Sequence, residues 1–315
     1  MTSSIDFNPK RSRKKLRLSH RIFLNWQVYI FLLPALIYFA VFHYAPMYGV
    51  LIAFKNYNAT AGIWGSQWAG FAHFQRLFRS PQFTSILQNT ILLSIENLLI
   101  GFPIPIIFAL LLNQLQNQKA KKFVQTVSYA PYFISTVVIV SIVFVFTFLQ
   151  TGIVNNVIDS LGGERIQFMG DSKWFRPLYI ITEIWQRTGW DSIIYVAALV
   201  NISSELHEAA MVDGASKIQR IWHIDIPGIL PSVVILFILR AGQLMKLGFD
   251  KAFLMQTPLN IGTSEIISTY VYKIGIKQGQ FSLASSADLF NAVINLALIL
   301  LVNKIARMMG EEGLW

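Results

Sequence analysis

Long apolar segments constrain the fold of this chain more than any other feature of its sequence. Six stretches of mainly apolar residues, each roughly 20 residues or longer, occur at positions 28–47, 87–112, 124–149, 178–202, 232–254 and 284–302. A segment of this length can cross a bilayer as a helix, because a helix satisfies its backbone hydrogen bonds internally. The sequence therefore predicts an all-α, polytopic membrane protein with six transmembrane helices.

The composition agrees with this fold class. Of the 315 residues, 54% are apolar and only 13% are charged, whereas a soluble domain carries about 25% charged residues. The sequence has no cysteine, which excludes a disulfide framework and a thiolate metal site. We expect a basic cytoplasmic segment at 1–21, followed by one membrane domain at 22–315.

The net charge of +10 could indicate a nucleic-acid partner, but the positions of the charges favour a membrane anchor. Seven of the 26 basic residues precede the first apolar segment: Lys10, Arg11, Arg13, Lys14, Lys15, Arg17 and Arg21. If this segment lies on the cytoplasmic side, 14 basic residues lie in cytoplasmic segments, nine in outer loops and three within spans. Lys251 is counted with the outer loops. The positive-inside rule then predicts that both termini are cytoplasmic.

A cleaved signal peptide at 1–45 is the alternative for the N-terminal region. The basic leader fits it, but the apolar stretch is long and no small-residue cleavage site follows.

The polar segment at 203–231 is the most informative part of the sequence. Its residues 205–212 favour a helix, with Ser203 or Ser204 as the N-cap and Gly214 as the stop signal. A second short helix at 216–222 leads to Pro227 and Pro231. The pattern predicts a helix–turn–helix on the inner face, between the fourth and fifth spans.

This segment resembles a known family. Glu208-Ala209-Ala210, then Gly214, then Ile224-Asp225-Ile226-Pro227 is similar to the "EAA" loop of binding-protein-dependent ABC importer permeases. The departure is Ile226, where the family usually has leucine. Four further stretches, 47–49, 53–57, 70–78 and 310–315, resemble the carbohydrate branch and its polysaccharide-type (LplB-like) permeases.

The resemblance implies a type I ABC importer permease fold, and an importer that moves oligosaccharides, including uronate-containing ones, delivered by an extracytoplasmic solute-binding protein. It implies two ATP-binding subunits, a second permease subunit and a bacterial cytoplasmic membrane location. It also implies that loop 203–231 docks on the ATP-binding subunit through Glu208, Ala209, Ala210, Asp213, Gly214, Ile224 and Pro227. The chain has no GxxxxGK[ST] motif, so ATP and Mg are expected in the partner, and this chain is expected to be non-catalytic and to bind no cofactor and no metal.

Polar and aromatic residues within the spans are candidates for the substrate pathway, because ionisable groups there usually face a bundle interior or a wet cavity. They are Asn89, Glu96, Asn97, Glu183, Arg187, Trp190, Asp191, Arg240, Gln243, Lys246, Asn291 and Asn295. The cations at 187, 240 and 246 suit a carboxylated sugar.

Structural roles remain open for several of these residues. Glu183, Arg187 and Asp191 are spaced i, i+4, i+8, and opposite charges at this spacing satisfy one another. A structural ion-pair network is the favoured interpretation of this set. Asn291 and Asn295 suit interhelical hydrogen bonding equally well.

Two alternatives to the oligosaccharide importer remain: a permease for another small solute, and a secondary transporter independent of ATP. The secondary transporter leaves the loop at 203–231 unexplained. A membrane enzyme is disfavoured, because none of the five histidines lie i, i+3 or i+4 apart.

Overall fold

The computed structural model of the protein describes residues 26–308. The basic segment 1–21 and the C-terminal motif 310–315 lie outside the described residues. The described chain is mostly helical and divides into two compact units, one ending at Leu51 and one beginning at Ile52.

The first unit is a helical stretch with no buried residue up to Tyr48. It contains the helices α1 (Trp26–Phe39) and α2 (Ala45–Met47), with a π-turn at Ala40–Tyr44 between them. A 3₁₀ segment, Tyr48–Phe54, begins in this unit and ends in the second. Its sequence is apolar on every face. A helix of this kind is covered by lipid or by another protein.

The second unit holds the two strands and the remaining helices. Strands β1 (Lys55–Asn56) and β2 (Gln67–Trp68) pair antiparallel. The helices are α3 (Gly62–Gly65), α4 (Ala72–Phe78), α5 (Pro81–Gly101), α6 (Pro103–Asn113), α7 (Gln118–Tyr129), α8 (Thr136–Thr147), α9 (Ile153–Ser160), α10 (Ser172–Val200), α11 (Ser204–Val212), α12 (Lys217–Arg220), α13 (Ile226–Ala241), α14 (Phe249–Met255), α15 (Ile261–Ser264), α16 (Ile267–Tyr272) and α17 (Phe281–Met308).

The predicted count of six spans is not confirmed. Within residues 26–308, four helical stretches are long and apolar enough to cross a membrane: Trp26–Phe54, Pro81–Asn113, Lys217–Ala241 and Phe281–Met308. A bent pair, α7 with α8, makes a fifth. The fourth predicted span corresponds to α10, which has the length but carries Glu183, Arg187 and Asp191 in its central region.

The third predicted span, 124–149, is broken rather than continuous. The chain turns by 99° between α7 with its 3₁₀ extension and α8. Pro131 lies before the break, and Ser135 caps α8 by accepting a hydrogen bond from Val138 N at 3.4 Å. The carbonyl of Ile134, left outside both helices, accepts a hydrogen bond from Gln186 Nε2 of α10 at 3.1 Å. A side chain of a neighbouring helix thus satisfies the interrupted backbone, as membrane helices require.

The fifth predicted span, 232–254, is wrong at both ends. Helix α13 begins at Ile226 and ends at Ala241, and residues 242–248 are irregular before α14 begins. Two side chains of α17 bond the freed peptide groups of Met245. Asn295 Oδ1 accepts from its N–H at 3.0 Å, and Asn291 Nδ2 donates to its carbonyl at 3.5 Å. These asparagines therefore bond an irregular segment of backbone, and not a second helix as the sequence suggested.

Helix α10 packs into two groups of core residues. Its Phe175 and Tyr179 pack with residues of α5, α8 and α14, and its Tyr195 and Leu199 pack with residues of α6 and α13. At Gly189 the backbone of α7 comes so close that a Cβ would collide with the Ser128 carbonyl. Only glycine permits this contact between the two helices.

Replacing Asn295 with alanine is expected to lower the free energy of unfolding by about 1–3 kcal/mol, because the buried Met245 N–H loses its acceptor. Unfolding of the purified chain by SDS in mixed micelles measures this change. The neighbouring Leu296→Ala is the control, since Leu296 is 59% exposed on α17. Equal losses for the two variants would contradict a specific role of the Asn295 hydrogen bond.

Candidate functional site

The loop between α10 and α13 has the predicted helix–turn–helix form. Helix α11 is capped by Ser203, whose side chain accepts a hydrogen bond from Glu205 N at 3.3 Å. The last residue of the helix is Val212, and Gly214, two residues beyond it, has a φ of 78°. There Gly214 N donates to Met211 O at 3.1 Å, and Ala215 N donates to Ala210 O at 2.8 Å. This is a Schellman ending, which favours glycine because its backbone is left-handed.

The second helix of the loop continues directly into α13, contrary to the predicted separate helix at 216–222. Ser216 and Gln219 form a reciprocal capping box at the start of α12. A π-turn, Ile221–Asp225, then joins α12 to α13, so that Lys217–Ala241 is one helical stretch of 25 residues. The π-turn lies directly before Pro227, where the hydrogen-bond ladder loses a donor.

Most of the predicted docking residues lie on the exposed surface of this loop. Glu208, Ala209, Asp213, Gly214 and Pro227 are exposed, and Ala210 and Ile224 are half-buried. Five large apolar side chains of the loop are also more than half exposed: Leu206, Met211, Val212, Ile218 and Trp222. Exposed apolar groups in such number on one loop indicate a surface that another protein covers.

Asp225 anchors the loop to the rest of the chain. Its side chain is fully buried. Gln114, next to the end of α6, donates to its Oδ2 at 3.3 Å, and His207 Nε2 of α11 lies 3.3 Å from its Oδ1. One carboxylate thereby holds α11, α13 and the end of α6 together. The sequence indicates Asp225 only as part of the motif, and it gives no sign of Gln114 or His207 as its partners, since no local pattern links the three residues.

The charged residues of α10 form a chain of ion pairs with two other elements. Arg187 Nε lies 3.7 Å from Glu183 Oε1 and 3.4 Å from Asp191 Oδ2. Arg240, at the end of α13, pairs with Asp191. Lys251 of α14 donates to Glu183 Oε2 at 2.9 Å and is 4% exposed. Lys251, which the charge count assigned to an outer loop, is thus buried and held by the half-buried carboxylate of Glu183.

A cavity of about 420 Å³ opens beside this ion-pair chain. Its walls include the predicted residues Arg187, Trp190, Asp191, Arg240 and Gln243. The Trp190 ring stacks on Tyr132, with ring centroids 4.4 Å apart and planes at 3°. Tyr132 is not among the predicted residues, and it contacts Trp190 from the 3₁₀ segment at the chain break after α7.

The remaining candidates lie in three other places. Asn97 lines a narrow crevice beside Glu183 and Arg187, next to the cavity. Asn89 and Glu96 are bonded to Arg176 of α10, at 3.3 Å and 3.6 Å. Asn291 and Asn295 bond the Met245 peptide, and Lys246 is exposed on the irregular segment that follows α13. None of these candidates is part of the cavity wall.

The sequence pattern of one protein family, the binding-protein-dependent transport system inner membrane component, matches residues 101–310. The chain belongs to this family. The match includes the loop with the exposed Glu208 and the cavity beside α10. It makes the chain a membrane component of an ABC transporter, as the resemblance of the loop implied.

Two relatives of this transporter component come from Bacillus subtilis (strain 168). The polygalacturonan/rhamnogalacturonan transport system permease protein YteP is 43% identical over 305 residues, which are 97% of this chain and 95% of the relative. Protein LplB is 44% identical over 288 residues, 91% of each chain. A solved bacterial alginate ABC transporter, in complex with alginate pentasaccharide-bound periplasmic protein, has a chain with a TM-score of 0.88 at 39% identity.

That structural match covers 95% of this transporter component and all of the matched chain. It confirms the predicted fold class, a mostly helical type I ABC importer permease, and the resemblance to polysaccharide-type permeases.

In this transporter component, Gly214→Val is expected to loosen the end of α11. A β-branched residue at positive φ costs roughly 1–2 kcal/mol, and hydrogen exchange at the Gly214–Ala215 turn should become about tenfold faster. Gly214→Asn is the matched variant, because asparagine tolerates left-handed backbone. No side chain or backbone lies within 4 Å of a Cβ at this position. Equal exchange rates in the two variants would therefore argue against a backbone cause.

The pair Asp191–Arg240 is expected to show strong energetic coupling. A double-mutant cycle with Asp191→Asn and Arg240→Gln should give an interaction energy of roughly 1–3 kcal/mol in the free energy of unfolding. Asp191→Asn leaves the half-buried Arg240 unpaired, and Arg240→Gln leaves Asp191 with only Arg187, at 3.4 Å. The exposed pair Asp159–Arg165, at 3.0 Å, is the control, with an expected coupling below about 1 kcal/mol. A value near zero for the first pair would contradict its structural role.

Proposed function

We propose that this chain is the permease subunit of an ATP-driven importer for oligosaccharides that contain uronic acids. Its relatives support this substrate class, since one is named for polygalacturonan and rhamnogalacturonan and another belongs to an alginate transporter. The proposed role of the chain is to form the membrane pathway, with ATP hydrolysis in a separate subunit.

The charge of the ion-pair chain beside the cavity is the observation that carries the substrate class. Three cations, Arg187, Arg240 and Lys251, are paired with two carboxylates, Glu183 and Asp191. One positive charge is left in excess, and Arg187, 40% exposed, lines the cavity. An excess cation at a partly desolvated wall attracts a carboxylate of the passing sugar.

The aromatic part of the wall suits the remainder of a sugar ring. Trp190 lines the cavity and stacks on Tyr132. The two rings form a rigid apolar face against which the C–H groups of a pyranose can pack. Gln243 adds an amide that can bond sugar hydroxyls.

The helical connection between loop and cavity supports coupling to an ATP-binding subunit. The stretch Lys217–Ala241 is about 37 Å long at 1.5 Å per residue. Its first turn belongs to the exposed loop with Glu208, and Arg240 at its other end pairs with Asp191. A force on the loop would therefore move a cation of the cavity wall. In the proposed cycle, closure of the ATP-binding subunits opens the cavity outward, and ATP hydrolysis returns it to the inward-open state.

The proposed complex contains two ATP-binding subunits that hold ATP and Mg, a second permease subunit and an extracytoplasmic solute-binding protein. The loop with Glu208 faces the cytoplasm, and so do both termini. Docking uses Glu208, Ala209, Ala210, Asp213, Gly214, Ile224 and Pro227, together with the exposed apolar side chains around them.

ATPase activity of the reconstituted complex tests this proposal. The complex contains this chain, the second permease, the ATP-binding subunit and the solute-binding protein, and uronate and neutral oligosaccharides are added one at a time. Uronate oligosaccharides are expected to stimulate hydrolysis only when the solute-binding protein is present. Stimulation by neutral sugars alone would refute the uronate assignment, and uptake without ATP would favour a secondary transporter.

Glu208→Lys is expected to uncouple sugar uptake from ATP hydrolysis, because the reversed charge lies on the exposed docking face of α11. Uptake into proteoliposomes should fall at least about tenfold, the equivalent of 1.4 kcal/mol, while the chain still inserts. Glu164→Lys makes the same charge change at an exposed residue of another loop and should leave uptake unchanged. Normal uptake by Glu208→Lys would refute docking through this residue.

A further inference from the structure

A second cavity lies between α14, α16 and the first turns of α17. Its volume is about 440 Å³, and its walls include Phe249, Ser268, Tyr272, Phe281, Ser285 and Asp288. It has no wall residue in common with the cavity beside α10. Asp288 lies seven residues after the start of α17, or about 10 Å along its axis.

Aromatic rings form one side of this second cavity. The ring centroid of Phe249 lies 5.1 Å from that of Tyr272 and 5.3 Å from that of Phe253. The ammonium of Lys277 lies 5.2 Å from the Phe253 centroid and 5.7 Å from the Tyr272 centroid. The ammonium of Lys277 therefore lies beside Tyr272, one of the rings of the cavity wall.

The polar side of the cavity carries a carboxylate without a partner among the described residues. Asp288 is exposed on a helix apolar enough to span a membrane, and it forms no ion pair with the described part of the chain. A carboxylate in a spanning helix normally faces water, a ligand or another subunit.

We infer that this aromatic and acidic cavity is a second sugar subsite, which binds one uronate pyranose of the oligosaccharide. The ring packs against Phe249 and Tyr272, and its hydroxyls donate to Asp288. Lys277 attracts its carboxylate, as an exposed cation beside the rings can do. This inference rests on the proposed function. It adds a second place at which the oligosaccharide contacts this chain, separate from the cavity that Arg240 lines.

Cysteine labelling tests the subsite directly, because the chain has no cysteine of its own. Ser285→Cys places a thiol of nearly the same size in the cavity wall. In the complete complex, a water-soluble thiol reagent should modify this position, and a galacturonate trisaccharide should slow the modification, as read by mass spectrometry of this chain. Ser160→Cys, exposed on α9, is the control, and its labelling should not respond to the sugar.

Adding Asp288→Asn to the Ser285→Cys variant should raise the half-protecting sugar concentration about tenfold, the effect of losing a charged hydrogen-bond acceptor. Asp250→Asn makes the same change at an exposed residue outside the cavity wall and should leave protection unchanged.

Three results would overturn the subsite. The first is labelling of the Ser285→Cys variant that the sugar does not slow, while uronate still stimulates ATPase activity of the wild-type complex. The second is a thiol in the Ser285→Cys variant that no reagent reaches, and the third is release of the second permease by Asp288→Asn. The last two would assign the cavity to a subunit contact. Loss of sugar-stimulated ATPase in the wild type would instead count against the importer itself.

Discussion

The charged face of α10 is the constraint on which the arrangement around the main cavity depends. Glu183, Arg187 and Asp191 lie in the middle of a helix whose neighbours are apolar, and a charge there is tolerated only when it is paired. Within the helix, Arg187 Nε lies 3.7 Å from a carboxylate oxygen of Glu183 and 3.4 Å from one of Asp191. The closer partners, Arg240 and Lys251, come from α13 and α14. Pairing therefore brings the ends of two other elements to α10, and the cavity lies where they meet.

The same requirement applies to the backbone where helices break. The carbonyl of Ile134 and the peptide of Met245 lie outside regular helices, and side chains of α10 and α17 bond them. Irregular backbone at membrane depth is stable only when protein or water satisfies it. The Met245 break follows closely on Gln243 of the main cavity wall, and the Ile134 carbonyl is bonded by Gln186, the neighbour of Arg187 in that wall. In the proposed pathway, the broken segments are the parts that can change shape while their hydrogen bonds are exchanged rather than lost.

The loop and the cavity are parts of one mechanical unit. Asp225 fixes α11 and the end of α6 to the base of α13, and the unbroken helix carries this attachment to Arg240. Rigid helices with satisfied ends transmit displacement over such distances better than flexible connections do, because few internal degrees of freedom absorb the movement. The proposed docking surface at one end and a paired cation at the other are what a coupled transporter requires.

The sequence by itself determined the helical membrane class, the loop with Glu208 and Gly214, and the charged face of α10, because each depends on local length, spacing or capping that residues 3–20 positions apart specify. It did not determine the breaks at Ile134 and Met245, nor the pairing of Lys251 with Glu183. Those depend on residues that are 50 or more positions apart. Only the tertiary structure decides these breaks and this pairing. A peptide group outside a helix, or a charge in apolar surroundings, is stable only where a side chain distant in the sequence reaches it. The periodicity of the sequence holds no information about such a contact.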